Sequence, residues 1–561
     1  MKLKQFFASL LSYTPEDNYN FDLSENQTIS NNDSSDSLEK IKDIFPSLNV
    51  NLEYIKTRYN LLINSDIKLR EFTLNARGKQ YNAFLLYIDG MIDSDIMNKF
   101  VLEPLMMRNK NNLYDGSQNK VISEAVANNI TVRKVKKFDL STYIMSCLLP
   151  QNSVERLSEF EEVFNGVNSG NCALFVDTLN ICFDIEVKGF KQRNIDKPSN
   201  EIVIKGPHEA FVENLRTNTS MIRRIINNED LVIENIKIGS ITKTNCALFY
   251  LDNITNSDLI AEVKYRLNNL SIDSLLSAGQ LEQLISDTET SSIPQVLSTE
   301  RPDKAVSYLL NGRVILIING SPYALVMPAI LTDFFNSPDD KNLRFPFSNF
   351  LKGLRLLAAL ITILLPGLYI AITSFHQELL PTELLFSILS SRSNVPFPIL
   401  VEILLLEFSF ELIREAGLRI PSPIGPTIGI VGAIILGEAA VNAGIVSPIL
   451  IIIVAITGIA SFCIPDFSFG FHLRIYRFLF IFLGYLCGFL GIALGLFVYM
   501  CMMADVKSFG VPYTIGITPL EKINGGSYFL PPIWKREYRA SYVNPKKEKR
   551  QQSISMKWKY K

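Results

Sequence analysis

Histidine is almost missing from this 561-residue chain: the three it carries, at positions 208, 376 and 472, are too widely spaced to form a ligand cluster. The seven cysteines (147, 172, 182, 246, 463, 487 and 501) are odd in number, contain no Cys-x-x-Cys pair and in three cases lie inside apolar runs. They neither staple a secreted domain nor cage zinc, so no metal is expected. Equally absent are the phosphate loop Gly-x4-Gly-Lys-Ser/Thr, the Gly-x-Ser-x-Gly elbow, His-Glu-x-x-His, and a Gly-x-Gly-x-x-Gly turn on a strand-helix junction. The chain is therefore expected not to be an enzyme and to need no cofactor. An excess of charge of either sign is lacking too, since the formal net charge is -1. Without clustered Lys and Arg on a folded face, a nucleic-acid partner is not expected. The start, Met1-Lys2-Leu3-Lys4 followed by Phe6 to Ser12, has no small-x-small cleavage site and reads as an uncleaved cytoplasmic start.

Charge is also missing locally, and this absence divides the chain. Up to about Phe350 charged residues recur every few positions, whereas Ala439 to Pro465 and Phe478 to Ala504 are 27 uncharged residues each. The first part reads as a soluble domain and the second as membrane. Ser24 to Ser37 is polar and is expected to be a disordered leader, within residues 1–37. Four short apolar runs then close with Asp or Asn: Asn82 to Asp89, Cys172 to Asp177, Asn245 to Asp252 and Gly312 to Asn319. Each reads as a buried strand ending in a turn. The first and third continue alike, Gly90-Met91-Ile92-Asp93-Ser94-Asp95 against Asn253-Ile254-Thr255-Asn256-Ser257-Asp258, and then into helical patterns. The expected fold over 38–345 is α+β, or α/β, with two similar subdomains at about 40–150 and 165–290. Lys205 to Asn227 reads as a helix opened by Gly-Pro. Its Glu209, Glu213, Arg223 and Arg224 form either a solvated or subunit-facing surface or an anion site. Thr299 is the expected cap of a helix with Pro302 in its first turn.

In the helical part, expected over 350–505 with four to five spans, Leu354 to Phe375 carries one charge, Arg355, and a Pro366-Gly367 pair that marks a kink and a candidate moving part. Lys352 and Arg355 precede this span and only Glu378 and Glu383 follow it, which places the soluble domain on the cytoplasmic side. Pro398 to Gly417 holds Glu402, Glu407, Glu411, Arg414 and Glu415. At 100° per residue all but Glu402 share one face. Carboxylates at membrane depth face a bundle interior or a water path, whereas the same helix lying flat would keep them solvated, and both readings stay open. Glu438 is the one charge within Thr427 to Ala443, and is either a gate residue or held by a neighbouring helix. Val446 to Ile464 is a further segment. Gly484, Gly488, Gly491 and Gly495 in Phe478 to Ala504 form two small-xxx-small pairs for helix packing. Five spans would leave the tail outside, yet Lys535 to Lys561 has ten basic residues against two acidic ones and belongs inside. A re-entrant Pro398–Gly417, which would leave Arg474 and Arg477 outside, or an interfacial Ser508–Pro532 would reconcile the two.

Several longer motifs carry a resemblance. They are Ile204-Lys-Gly-Pro-His-Glu-Ala-Phe-Val-Glu-Asn-Leu through Asn218, Ser292-Ile-Pro-Gln through Thr299-Glu-Arg-Pro-Asp303, and Gly312-Arg-Val with Asn319-Gly-Ser-Pro322. Others are Phe410-Glu-Leu-Ile-Arg-Glu-Ala-Gly417 with Arg419-Ile-Pro421, Gly429-Ile-Val-Gly432 with Ala439-Ala-Val441, and Ser508-Phe-Gly-Val-Pro-Tyr513. Over roughly 40–530 the chain resembles the A subunits of bacterial spore germinant receptors (GerA type). The resemblance implies a multi-pass protein of the spore inner membrane. Its partners would be a transporter-like B subunit that binds the nutrient and a lipoprotein C subunit, and it would form a homo-oligomer with an ion path that opens on nutrient binding. Glu438 departs from the neutral amide usual in that family, which would favour cations. A scaffold subunit that holds the other subunits without conduction is the alternative of a different class, and within the family a stage V sporulation AF-type paralogue that aids ion and dipicolinate release is a further one. The gating and pore candidates are Pro366, Gly367, Glu407, Glu411, Arg414 and Glu438.

Overall fold

A computed structural model describes residues 21–23, 41–76, 79–107, 139–189, 198, 201, 203–288, 291–419, 437–517 and 528–550. The leader 24–37, the glycines at 429 and 432 and the last eleven residues of the tail lie outside the described residues. Two five-stranded antiparallel sheets form the soluble half. The first contains β1 (Ile67–Ala76), β2 (Lys79–Ile88), β3 (Val154–Leu157), β4 (Cys172–Val176) and β5 (Cys182–Ile185) in the order β1-β2-β4-β5-β3. The second contains β6 (Leu231–Ile238), β7 (Thr244–Leu251), β8 (Leu297–Thr299), β9 (Val314–Ile318) and β10 (Ala324–Met327) in the order β6-β7-β9-β10-β8. The two orders are the same permutation, so the repeat seen in the sequence extends to whole subdomains. Because all pairings are antiparallel, the fold is α+β.

The four apolar runs are β2, β4, β7 and β9, four of the six inner strands of the two sheets. They lack alternation because helices cover both faces. On the first sheet, Phe84, Leu86 and Phe175 meet α1 (Leu48–Arg58) and α2 (Phe160–Asn168), while Leu85, Leu174 and Phe183 meet helical stretches that include Val101 and Ile144. On the second, Phe249 and Ile315 meet α3 (Leu215–Ile225) and α6 (Pro302–Leu309), while Leu248 and Leu316 meet α4 (Ser257–Asn268) and α5 (Ala278–Ile285). The matched turns are capped alike: Asp93 accepts from the N–H of Asp95 at 2.8 Å, and Asn256 from that of Asp258 at 2.8 Å.

Four expectations change. The first sheet runs on to Ile185 and the second to Met327, so the subdomain limits lie later than 150 and 290. The Lys205–Asn227 pattern yields a helix only from Leu215, where Asn214 accepts from the Thr217 N–H. Arg301, not Thr299, is the N-cap of α6, with Pro302 in its first turn. Arg223 is neither solvated nor an anion site. It is fully buried between the subdomains, with Nε and Nη2 donating to the two oxygens of Asp66 at 3.0 Å each. Beside it Ser65 N–H donates to the Ile233 carbonyl at 2.9 Å, which ties the chain just before β1 to β6.

The helical half consists of α7 (Phe345–Phe375), α8 (Thr382–Arg392), α9 (Ile399–Arg419), α10 (Pro448–Phe462) and α11 (Phe467–Asp505). Two of these, α7 and α11, are long and apolar enough to cross a membrane, and α10 is a shorter apolar helix. α7 continues helically through Pro366. The 39 residues of α11 are not one rod, because Gly488 has φ 59° and ψ -138°, a conformation open to glycine. His472 Nε2 lies 3.1 Å from the Tyr499 hydroxyl, although 27 residues of straight helix would separate them by about 40 Å. The chain reverses at Gly488 into two antiparallel legs, 467–487 and 489–505, so the expected single segment Phe478–Ala504 is corrected to parts of a hairpin. Gly491 and Gly495 face Leu483 of the opposite leg.

The hairpin opens onto the soluble domain. Phe469 stacks on Phe334 at 5.8 Å, and Ser292 Oγ lies 3.0 Å from His472 Nδ1. Its tip, Gly488, rests against Phe375 and His376 at the far end of α7. After the second leg the chain packs back on the second subdomain: the Ser508 hydroxyl donates to the Gln295 carbonyl at 2.6 Å, and Leu331 N–H to that of Tyr513 at 2.9 Å. The described part of Ser508–Pro532 is therefore seated on protein rather than dipping into an interface.

Candidate functional site

Five charged side chains meet inside the helical half. Glu407 and Glu411 lie one turn apart on α9, with Arg414 close behind, and Arg474 and Arg477 lie three apart on the first leg of α11. Matching spacings on antiparallel helices put 407 beside 477 and 411 beside 474. Arg477 Nη2 is 2.9 Å from Glu407 Oε2 and donates to Glu411 Oε1 at 2.8 Å. Arg474 Nη1 donates to Glu411 Oε2 at 3.0 Å, and Arg414 Nη1 to Glu411 Oε1 at 3.3 Å. Arg414 also donates to the Ser461 hydroxyl of α10 and lies over the rings of Phe410 and Phe462 at 5.2 and 4.5 Å. Glu407 and Arg477 are fully buried, and the Glu411 side chain is 25% exposed.

Three arginines and two glutamates give the cluster a charge of +1. Its hydrogen bonding is incomplete: both oxygens of Glu407, Nε and Nη1 of Arg477 and Nε of Arg414 have no hydrogen-bond partner. Such atoms in an apolar bundle are costly and are the places where water, an ion or a rearranged partner would be accommodated. A second buried contact lies nearer the other end of α9. There Glu402 accepts from the Ser447 N–H at 2.6 Å and stands 3.6 Å from Arg392 Nε.

Of the sequence candidates, Glu407, Glu411 and Arg414 come together in this cluster. Glu402, on the opposite face, is also buried, and its partners come from α8 and the start of α10. Glu415 is exposed. Glu438 is exposed in a helical stretch over 437–442, and among the described residues it makes no contact with the cluster. Pro366 and Gly367 lie buried on α7 where it meets the first leg of α11. A Cβ on Gly367 would stand 2.6 Å from the Phe480 carbonyl oxygen, and one on Gly484 2.5 Å from that of Gly367. Backbones thus touch there, and only hydrogen side chains fit. Lys352 and Arg355 are tied to the soluble domain: Lys352 Nζ donates to Asn336 Oδ1 at 2.5 Å, and Arg355 Nη1 to Asp340 Oδ2 at 2.6 Å.

Arg474 and Arg477 are the members that reading the sequence for candidates passed over as flanking charges. Their i, i+3 spacing opposite an i, i+4 glutamate pair is the signal that finds them. Among the described residues no group of His, Cys, Asp and Glu could hold a metal ion.

The family described as Bacillus/Clostridium GerA spore germination protein matches residues 53–542. Spore germination protein KA of Bacillus subtilis is 36% identical over 509 residues, covering 91% of this chain and 89% of that one. Spore germination protein B1 of the same organism is 38% identical, covering 81% and 88%. An uncharacterized membrane protein of B. subtilis, YfkQ, is 34% identical, covering 88% and 90%. Among solved structures, the N-terminal domain of the A subunit of the Bacillus megaterium spore germinant receptor GerK3 is 30% identical. It covers 52% of this chain and 98% of that one, with a TM-score of 0.36.

Proposed function

The chain belongs to the GerA family, and from that premise we propose that this germinant receptor A subunit oligomerises and converts nutrient binding into ion release as a nutrient-gated channel. The observation that carries the reading is the buried, under-bonded ion cluster. Five charges in an apolar bundle are expensive to keep, and their mutual pairing gives the helices two arrangements, pairs closed or pairs exchanged. Gating then works by breaking Arg477 and Arg474 away from Glu407 and Glu411, rather than by bare carboxylates lining a cation path. The helical half is then a multi-pass domain of the spore inner membrane, both of its ends lying beside a cytoplasmic domain. The nutrient itself is bound by a transporter-like B subunit, and a lipoprotein C subunit completes the complex.

A scaffold that holds the other subunits without conducting is the second reading. The observation in its favour is that every charge of the cluster already has an opposite partner. A paralogue of the stage V sporulation AF type would use the same cluster for ion and dipicolinate release without a nutrient signal. The test is ion release from spores carrying Glu411→Gln, beside Glu438→Gln, after a nutrient challenge, with subunit abundance measured in the same membranes. Altered release with Glu411→Gln at normal abundance supports gating at the cluster. Unchanged release at normal abundance overturns it in favour of the scaffold.

A further inference from the structure

A cavity of about 340 Å³ lies where three parts of the chain meet: the second subdomain, the first turns of α7 and the C-terminal segment. Its walls include Lys304, Arg313, Lys341 and Lys352 against two acids, Asp303 and Asp333. The ion pairs do not cancel these charges evenly. Asp303 is engaged by Arg301 at 2.9 Å, Lys304 by Glu201 at 2.6 Å, and Arg313 by Asp333 at 2.6 Å. Lys341 and Lys352 are left, and among the described residues neither has a carboxylate partner. Lys352 is buried yet holds only neutral groups, Asn336 Oδ1 at 2.5 Å and the Tyr528 carbonyl at 3.0 Å. Lys341 donates to the Ser307 hydroxyl and stands 5.6 Å over the Tyr308 ring. On the rim Arg550, likewise without a carboxylate among the described residues, donates to Asn311.

Arg313 supplies a second, independent sign of a missing occupant. It is 1% exposed, its Nη1 is held by Asp333 and its Nη2 donates to the Tyr542 hydroxyl at 2.5 Å. Its Nε has no hydrogen-bond partner. A buried guanidinium with a free donor, walling a cavity that carries two uncompensated lysines, is a donor set made for oxyanions.

We propose that this cavity is a binding site for a small multivalent oxyanion, phosphate or carboxylate in kind, held chiefly by Lys341 and Lys352. Such a ligand would clamp α6, the start of α7 and the C-terminal segment together, so its occupancy would set how firmly the soluble domain grips the first long helix. The site is separate from the ion cluster, and its test does not depend on ion release.

The experiment is equilibrium dialysis of the full-length chain in detergent with radiolabelled inorganic phosphate in one arm and citrate in the other, at fixed ionic strength in chloride. Saturable binding near one anion per chain is expected, with Lys341→Gln and Lys352→Gln each raising the half-saturating concentration on the order of tenfold, as loss of one charge-assisted contact implies. Phosphate binding alone assigns a phosphate ligand, citrate alone a polycarboxylate. Lys341 is exposed, so Lys341→Gln decides the matter if Lys352→Gln fails to fold. No saturable binding of either anion, or binding unchanged in Lys341→Gln, overturns the proposal.

Discussion

Replacing Arg477 with methionine tests the ion cluster most sharply. Arg477 is fully buried, and it is the ion-pair partner of the equally buried Glu407, at 2.9 Å. Neither oxygen of Glu407 has a hydrogen-bond partner to fall back on. Methionine keeps the stem's packing and removes the charge, leaving Glu407 uncompensated in an apolar bundle. Removing one partner of a buried pair in this way costs about 3–5 kcal/mol. Glu411 is spared, because Arg474 and Arg414 still reach it at 3.0 and 3.3 Å. The reverse change, Glu407→Gln, leaves Arg477 bound to Glu411 at 2.8 Å and should cost less, about 1–2 kcal/mol. The double variant removes both members and should recover most of the Arg477→Met loss, since replacing a whole buried pair is often near neutral. Thermal unfolding of the full chain in one detergent, with abundance in native membranes alongside, gives the ranking: wild type, then Glu407→Gln and the double variant, then Arg477→Met. Equal losses for the two single variants, or a double loss equal to their sum, would refute the pairing.

Two further outcomes follow from the same geometry. Gly367→Ala and Gly484→Ala each drive a methyl group into a backbone carbonyl and should lower the unfolding midpoint by the equivalent of about 1–3 kcal/mol. Gly353→Ala, which meets nothing within 4 Å on the same helix α7, should raise it slightly by helix propensity; a common sign for all three would sink the close-contact reading. Glu282 on α5 is pushed from 4.5 up to about 7, first by burial and then by the Asp466 carboxylate. The folded chain thus takes up this proton more readily than the unfolded one, so the stabilisation is full below about pH 4.5, is lost as pH rises to about 7, and is flat beyond. Unfolding midpoints measured from pH 4.5 to 8 should show that decline in the wild type and a shallower one in Glu282→Gln, and parallel curves would count against it.

The sequence was readable where local chemistry decides the structure. Four inner strands could be read because each is an apolar run closed by Asp or Asn, and the shared caps at Asp93 and Asn256 marked the repeat. The outer strands β3 and β8 span four and three residues, too short to carry a pattern, and β4 and β9 join their sheets only by pairing with the distant β2 and β7, which no local pattern encodes, so the subdomain limits read from sequence fall early. Arg223 looked like helix surface because its partner Asp66 is 157 residues away and no local periodicity encodes that pairing. The same holds in the ion cluster. Glu407, Glu411 and Arg414 share a helix face and could be grouped from spacing alone, whereas Arg474 and Arg477 belong to another helix, and only packing tells which way they point.

The reversal at Gly488 links the cluster to the second subdomain. With two legs, both mouths of the hairpin sit on the second subdomain, through Ser292 and His472 at one and Gln295 and Ser508 at the other. The first leg carries Arg474, Arg477 and Gly484 within ten residues, about 15 Å of helix. Gly484 is where α7 leans on it, backbone to backbone, and α7 is in turn anchored to the soluble domain through Lys352 and Arg355. A shift of the soluble domain against α7 must therefore press on the same leg that holds the two arginines in place. The contact allows little slack because neither glycine can yield a side chain's width, and that stiffness makes the ion pairs responsive to a domain some distance away.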